Sequence, residues 1–158
     1  MKTLEKIELV LILFLLFFNI LFLINARGIS GFFLSENEKT LSAPYDFISE
    51  NQIITYKDKI VLEIENYSLS KYAPSKSMTP VLDSGANGVG IKPKSEDDLH
   101  VGDIITFKQG DDMIVHRIVE KGIDEDGWFF ITKGDNNNIT DGKIRFSQID
   151  SILVVLIY

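Results

Sequence analysis

Ser77 lies in the run Ala73-Pro74-Ser75-Lys76-Ser77-Met78-Thr79-Pro80, a loop that two prolines hold extended. A serine hydroxyl is a poor nucleophile near neutral pH unless a base takes its proton and a third group orients that base. Partners of the right type follow downstream. His116 stands in Met113-Ile114-Val115-His116-Arg117-Ile118-Val119. Asp135 stands in Lys133-Gly134-Asp135-Asn136-Asn137, and Asp141 follows six residues after it. A histidine, with an unperturbed pKa of about 6.5, can accept a serine proton at neutral pH without a large shift. Taken singly, the same pieces also read as an ordinary turn, a satisfied core histidine and a β-turn. Their conjunction in one chain is what points to nucleophilic chemistry.

The elements that must position these residues are short strands. Ile60, Leu62 and Ile64 alternate with Val61, Glu63 and Glu65, and residues 53–56 read similarly, so two strands are predicted before the serine loop. Residues 81–101 are rich in glycine and charge, with a short strand over 89–92 and a solvated loop over 94–98. Residues 103–108 and 113–120 form a predicted hairpin about Gln109-Gly110-Asp111-Asp112. In it Ile114, His116 and Ile118 share one face, and Met113, Val115, Arg117 and Val119 the other. Asp124-Glu125-Asp126-Gly127 turns the chain into a strand over 128–132, which delivers Asp135 at its exit. There an aspartate commonly accepts backbone N–H bonds and shapes the turn. Residues 152–158, rich in β-branched side chains, are predicted to be a buried strand. About seven strands and no long helix after Arg27 predict an all-β domain, a sandwich or folded barrel.

Ahead of it, residues 7–26 are almost wholly apolar and as a helix would reach about 30 Å, the thickness of a bilayer core. A cleaved secretory signal would have a shorter apolar region ending in a small-residue site, and Ile24-Asn25-Ala26 matches poorly. The expectation is a retained anchor over residues 1–27, with Lys2 and Lys6 keeping the N-terminus cytoplasmic and the rest across the membrane. A connector over 28–50 follows, in which Gly31-Phe32-Phe33-Leu34 could rest in the membrane interface. Ser42-Ala43-Pro44 could cap a short helix through Ile48. Residues 51–158 are the β-rich domain.

Composition excludes several functions. Beyond residue 27 the chain carries 13 basic and 21 acidic residues, a net charge of −8 that disfavours nucleic acid. With no cysteine and only His100 and His116, neither thiolate catalysis nor a zinc-like cluster is expected. No glycine-rich phosphate loop opens a helix, so no metal or other cofactor is expected. Asn66-Tyr67-Ser68 and Asn138-Ile139-Thr140 fit the N-glycosylation acceptor pattern.

The ordered set Ser77-Met78-Thr79-Pro80, Val101-Gly102-Asp103-Ile104-Ile105, Val115-His116-Arg117-Ile118-Val119 and Thr132-Lys133-Gly134-Asp135-Asn136-Asn137 with Asp141, behind one anchor, resembles type I signal peptidases of the archaeal and endoplasmic-reticulum branch. The resemblance covers roughly residues 72–158. It implies a signal-peptidase-like antiparallel β fold preceded by one transmembrane helix. It also implies Ser77 as nucleophile, His116 as base and the aspartates Asp141 and Asp135 as supporting acids, Asp141 being favoured as the orienter of His116. Ser75 and Met78 would lie at the oxyanion and substrate-binding positions. Lys76 occupies a position often held by glycine in that family. The implied activity is a membrane-bound serine endopeptidase that removes signal peptides from secretory preproteins, with the lipid membrane as a partner and room for additional membrane subunits. The competing reading is a non-catalytic membrane-anchored β module that binds peptides or partner subunits.

Overall fold

The computed structural model describes residues 14–17, Asn19 and residues 41–158. Residues 1–40 and 41–158 form separate compact units. In the first, residues 14–17 and Asn19 are helical, and the Asn19 amide donates to the Leu15 carbonyl at 3.3 Å. Among the described residues no helix is long and apolar enough to cross a membrane. Apart from residues 14–17 and Asn19, the expected anchor lies outside the described residues, as do the interfacial run at 31–34 and the charged flanks.

The second unit is all-β, with nine strands among the described residues. β1 (Ile53–Thr55) and β2 (Ile60–Leu62) form a two-stranded ribbon. The others are β3 (Tyr67–Lys71), β4 (Asn87–Ile91), β5 (Ile104–Gln109), β6 (Asp112–Asp124), β7 (Gly127–Lys133), β8 (Lys143–Ile144) and β9 (Ile149–Ile157). They form one antiparallel sheet in the order β3-β4-β9-β5-β6-β7-β8. Residues that alternate along its strands feed two cores. Ile105, Phe107, Ile118, Phe130 and Ile152 meet on one face with Leu99, Ile144 and Ile149. On the other, Ile104 packs with Met78 and Leu82 from the serine loop. Burying Met78, only 1% exposed, contributes about 1.5–3 kcal/mol and seats that loop on the sheet.

Four expectations change. The short helix over 44–48 does not form, because its polar backbone is committed elsewhere: Ser42 O accepts from Arg117, Tyr45 N donates to Asp103, and Ala43 lies against Gly102. A helix of so few residues could not offset those contacts. Instead a single 3-10 turn forms at Glu50–Gln52, and another, Glu96–Asp98, interrupts the loop expected over 94–98. A third strand, β3, precedes the serine loop. In β3 the alternation is inverted: Tyr67 and Leu69 are exposed, while Ser68 and Ser70 face inward opposite Gly90 and Gly88. β9 starts at Ile149, and its buried residues, Ile149, Ser151 and Ile152, all lie in its first half. Its end runs to exposed Ile157, and the Tyr158 hydroxyl donates to the Val81 carbonyl.

The β6–β7 hairpin is tied to β8 by charge. Asp124 accepts from Arg145 Nη1 at 2.9 Å and Nη2 at 3.0 Å, and from Lys143 Nζ at 2.6 Å. The Arg145 hydrogen bonds, then that of Lys143, hold the Asp124 carboxyl well below the usual carboxylate range. A depressed folded-state value means the pair stabilises the fold above the unfolded aspartate pKa of about 3.9 and loses that contribution as pH falls through the lower folded value. Asp124→Asn should therefore flatten the fall of Tm between about pH 4 and pH 2. The difference should be modest, since Lys143 is half exposed and solvent screens the pair. Melting curves of both proteins across that range test it, and parallel curves would refute it.

Candidate active site

β6 carries two adjacent polar residues that alternation sends to opposite faces. His116 goes to the side of Phe107, whose ring centroid lies 6.5 Å from the imidazole, and Arg117 to the other. Both are buried, at 6% and 5% exposure. Each then meets one of the two candidate aspartates.

His116 Nδ1 lies 2.6 Å from Asp141 Oδ2, and the same carboxylate oxygen accepts the Thr132 hydroxyl at 2.8 Å. A carboxylate oxygen accepts, so Nδ1 carries a proton, and in the neutral ring Nε2 then presents a lone pair. Among the described residues Nε2 has no hydrogen-bond partner, and it is not sealed from solvent. Asp141 N donates to Thr132 O at 2.9 Å, which returns the loop to β7 and brings the carboxylate under the imidazole.

Asp135 goes elsewhere. Its two oxygens accept Arg117 Nε and Nη2, each at 2.8 Å, in a fork with both side chains almost fully buried. The expectation that Asp135 would accept backbone N–H bonds is replaced by this ion pair, and the structure does not bring Asp135 to His116. Its own N–H points at Met78 Sδ, 3.4 Å away.

Ser77 is half-buried, and its loop is held from beneath by residues that the sequence did not single out. Asn136 N donates to Ser77 O at 2.9 Å, and Asn136 Nδ2 to Lys76 O at 3.2 Å. Gly134 permits that approach, since a Cβ there would lie 2.6 Å from Ser77 O. Lys76 adopts φ +60°, the left-handed region where glycine carries no steric penalty. Ser77 Oγ shares a hydrogen bond with Ser75 Oγ at 3.1 Å, and Ser77 N donates to Ser75 Oγ at a long 3.4 Å. No hydrogen bond joins Ser77 to His116.

Both residues nevertheless line one cleft of about 330 Å³, with Ser75 and Asn137 at its polar edge and Met78, Leu82, Met113 and Val115 among its apolar walls. Met78 contributes to the cleft from a buried position, as part of the core. Tyr72 also lines the cleft, and burial pushes its phenol up, so it stays protonated in the neutral range. Two other grooves are of similar size, but neither sets a hydroxyl nucleophile beside a histidine. The cleft is singled out by its chemistry, not by its volume. Of the six candidate residues, Ser75, Ser77, Met78 and His116 line it, Asp141 supports His116, and Asp135 is bound to Arg117. Arg117, Thr132 and Asn136 were missed because their roles depend on partners that are not local, from 9 residues away for Thr132 to 60 for Asn136.

Compared with protein-family models and with curated proteins, the chain matches none. Function is therefore read from the residues of the site.

Removing one partner of a buried ion pair leaves the other charge uncompensated, at about 3–5 kcal/mol. Asp135→Asn should lower the unfolding free energy by about that much, whereas Asp141→Asn should lower it by less than half as much. Urea melts of the two variants check this, and a loss of less than about 1 kcal/mol for Asp135→Asn would show that Arg117 does not depend on Asp135.

Proposed function

We propose that the protein is a serine endopeptidase of the type I signal peptidase kind, in which Ser77 is the nucleophile, His116 the general base and Asp141 the group that orients it. The observation that carries this reading is the His116–Asp141 pair, which holds the imidazole in one tautomer and leaves Nε2 open in the cleft that holds Ser77. Motif order supports the signal-peptidase kind, and the antiparallel sheet with a core on each face is compatible with its fold. The apolar stretch over residues 7–26 supports a membrane anchor, with the β domain on the extracytoplasmic side and secretory preproteins as substrates.

In this mechanism the Ser77 hydroxyl turns from Ser75 towards His116 Nε2, which takes its proton as Oγ bonds to the scissile carbonyl carbon. Hydrogen bonds between base and nucleophile are often loose before substrate arrives. The developing oxyanion is met by the Ser77 N–H, which is only weakly engaged at rest, and by the Ser75 hydroxyl. His116 then passes the proton to the leaving amine, and water repeats the sequence to release the acyl group. Asp135 has no part in proton transfer; it holds Arg117 and the loop that carries Asn136.

One observation favours a second reading. At rest Ser77 is bonded to Ser75 and not to the base, as a non-catalytic peptide-binding β module could also have it. The two readings separate on Ser77→Ala in the full chain, assayed with a preprotein in detergent. Cleavage should vanish while circular dichroism stays unchanged, and a variant that cleaves at the parental rate removes Ser77 as nucleophile. The parental rate should also fall on acidification, because a protonated imidazole cannot accept the Ser77 proton. A flat kcat/KM profile from about pH 5 to pH 8 would exclude His116 as the base. Asp141→Asn should lower kcat by about 10³- to 10⁴-fold, since an amide can present the wrong partner to the ring and carries no charge for the imidazolium. A variant that keeps more than a tenth of the rate would remove Asp141 as the orienter.

A further inference from the structure

We infer that Thr132 is a positioning residue for the His116–Asp141 pair: its hydroxyl fixes the Asp141 carboxylate in the orientation that holds the imidazole. The catalytic consequence rests on the proposed serine–histidine mechanism, while the positioning rests on geometry alone. Thr132 is fully buried in β7. Its Oγ1 donates to Asp141 Oδ2 at 2.8 Å, the oxygen that also accepts from His116 Nδ1 at 2.6 Å. Its carbonyl accepts the Asp141 N–H at 2.9 Å, so one rigid strand residue holds both the backbone and the carboxylate of Asp141.

Asp141 needs such a hold. It ends an irregular loop in which residues 138–140 are exposed, and its Oδ1 has no hydrogen bond among the described residues. The terminal torsion of an aspartate is broad, so a carboxylate held only by the imidazole could turn and exchange its oxygens. Two donors converging on one oxygen remove that freedom. The threonine hydroxyl, sealed from water, requires a partner of its own, and Asp141 supplies it. Thr132 is not among the residues that line the cleft and makes no hydrogen bond to Ser77, so its effect passes through Asp141.

The test uses the full chain in detergent. Thr132→Val keeps the branched shape that suits a strand but removes the hydroxyl, and Thr132→Ser keeps the hydroxyl but removes the methyl. Thr132→Ala serves as the hydroxyl-free variant if valine does not fold. Three quantities are read: Tm, the kcat and KM for a preprotein, and the far-downfield proton resonance of His116 Nδ1–H without substrate. The hydroxyl-free variant should stay folded, lose about 10- to 100-fold in kcat at unchanged KM, and show a weakened or exchange-broadened resonance. Thr132→Ser should restore both. A hydroxyl-free variant with parental kcat and an intact resonance overturns the inference, as does a serine variant equally impaired. If the parental chain cleaves no preprotein, the protease reading fails, and the resonance alone still decides whether Thr132 positions Asp141.

Discussion

The buried fork between Arg117 and Asp135 is the interaction on which the arrangement of the site depends. Arg117 Nε and Nη2 hold both oxygens of Asp135, and Nη1 donates to Gly102 O at 2.7 Å and to Ser42 O at 3.3 Å. One guanidinium thus joins β6, the loop after β7, the turn before β5 and the segment that crosses over it. Such a pair adds little stability over a well-packed apolar pair, since both charges must be stripped of water. Its effect is on geometry: the planar fork accepts a carboxylate in one orientation, so the loop leaves β7 in one direction. Asn136, one residue on, then reaches the serine loop, and the far end of the same loop delivers Asp141 to His116.

Much of this site was legible in the sequence, and the legible part has a physical signature. Alternation along β6 places His116 on the face of Ile114 and Ile118, because a strand sends successive side chains to opposite sides whatever they pack against. Turn residues mark the two hairpins, because few side chains suit their backbone. What alternation does not give is the partner across a gap in sequence. Two aspartates of the same type lay at the two ends of one loop, and nothing local reveals that one meets a guanidinium and the other an imidazole. β3 was hidden for a different reason: its serines face inward over Gly88 and Gly90, where only small side chains fit, so its hydrophobic pattern is reversed. The missing helix at 44–48 fails in the same way, its backbone groups having been taken by Arg117 and Asp103 from remote parts of the chain.

The serine loop combines strain with support. Lys76 at φ +60° carries a penalty of about 1–2 kcal/mol relative to an ordinary backbone conformation. Opposing it are the burial of Met78 and two hydrogen bonds from Asn136, one to the Lys76 carbonyl and one to the Ser77 carbonyl. Net contributions of about 1 kcal/mol per hydrogen bond, added to the Met78 term, exceed that penalty. The loop is therefore held firmly while the Ser77 side chain is not. Its bond to Ser75 joins two neutral hydroxyls and is worth about 1 kcal/mol at most. On the proposed reading, a substrate carbonyl entering the cleft would have little to displace.

The two carboxylates show how one residue type is assigned opposite tasks by the face of a single strand. The Asp135 side chain is 1% exposed, and both of its oxygens are engaged by a guanidinium that stays charged at any working pH, so it is fixed in place. The Asp141 side chain is 14% exposed and shares one oxygen between a hydroxyl and an imidazole whose charge would change in the proposed proton transfer. Only the second environment gains electrostatic energy when the ring becomes positive, because there the carboxylate lacks a permanent counter-charge. Exchanging the faces of His116 and Arg117 would require slipping β6 by one residue, which would also turn Ile114 and Ile118 out of their core. The hydrophobic register of β6 therefore fixes which aspartate serves the histidine.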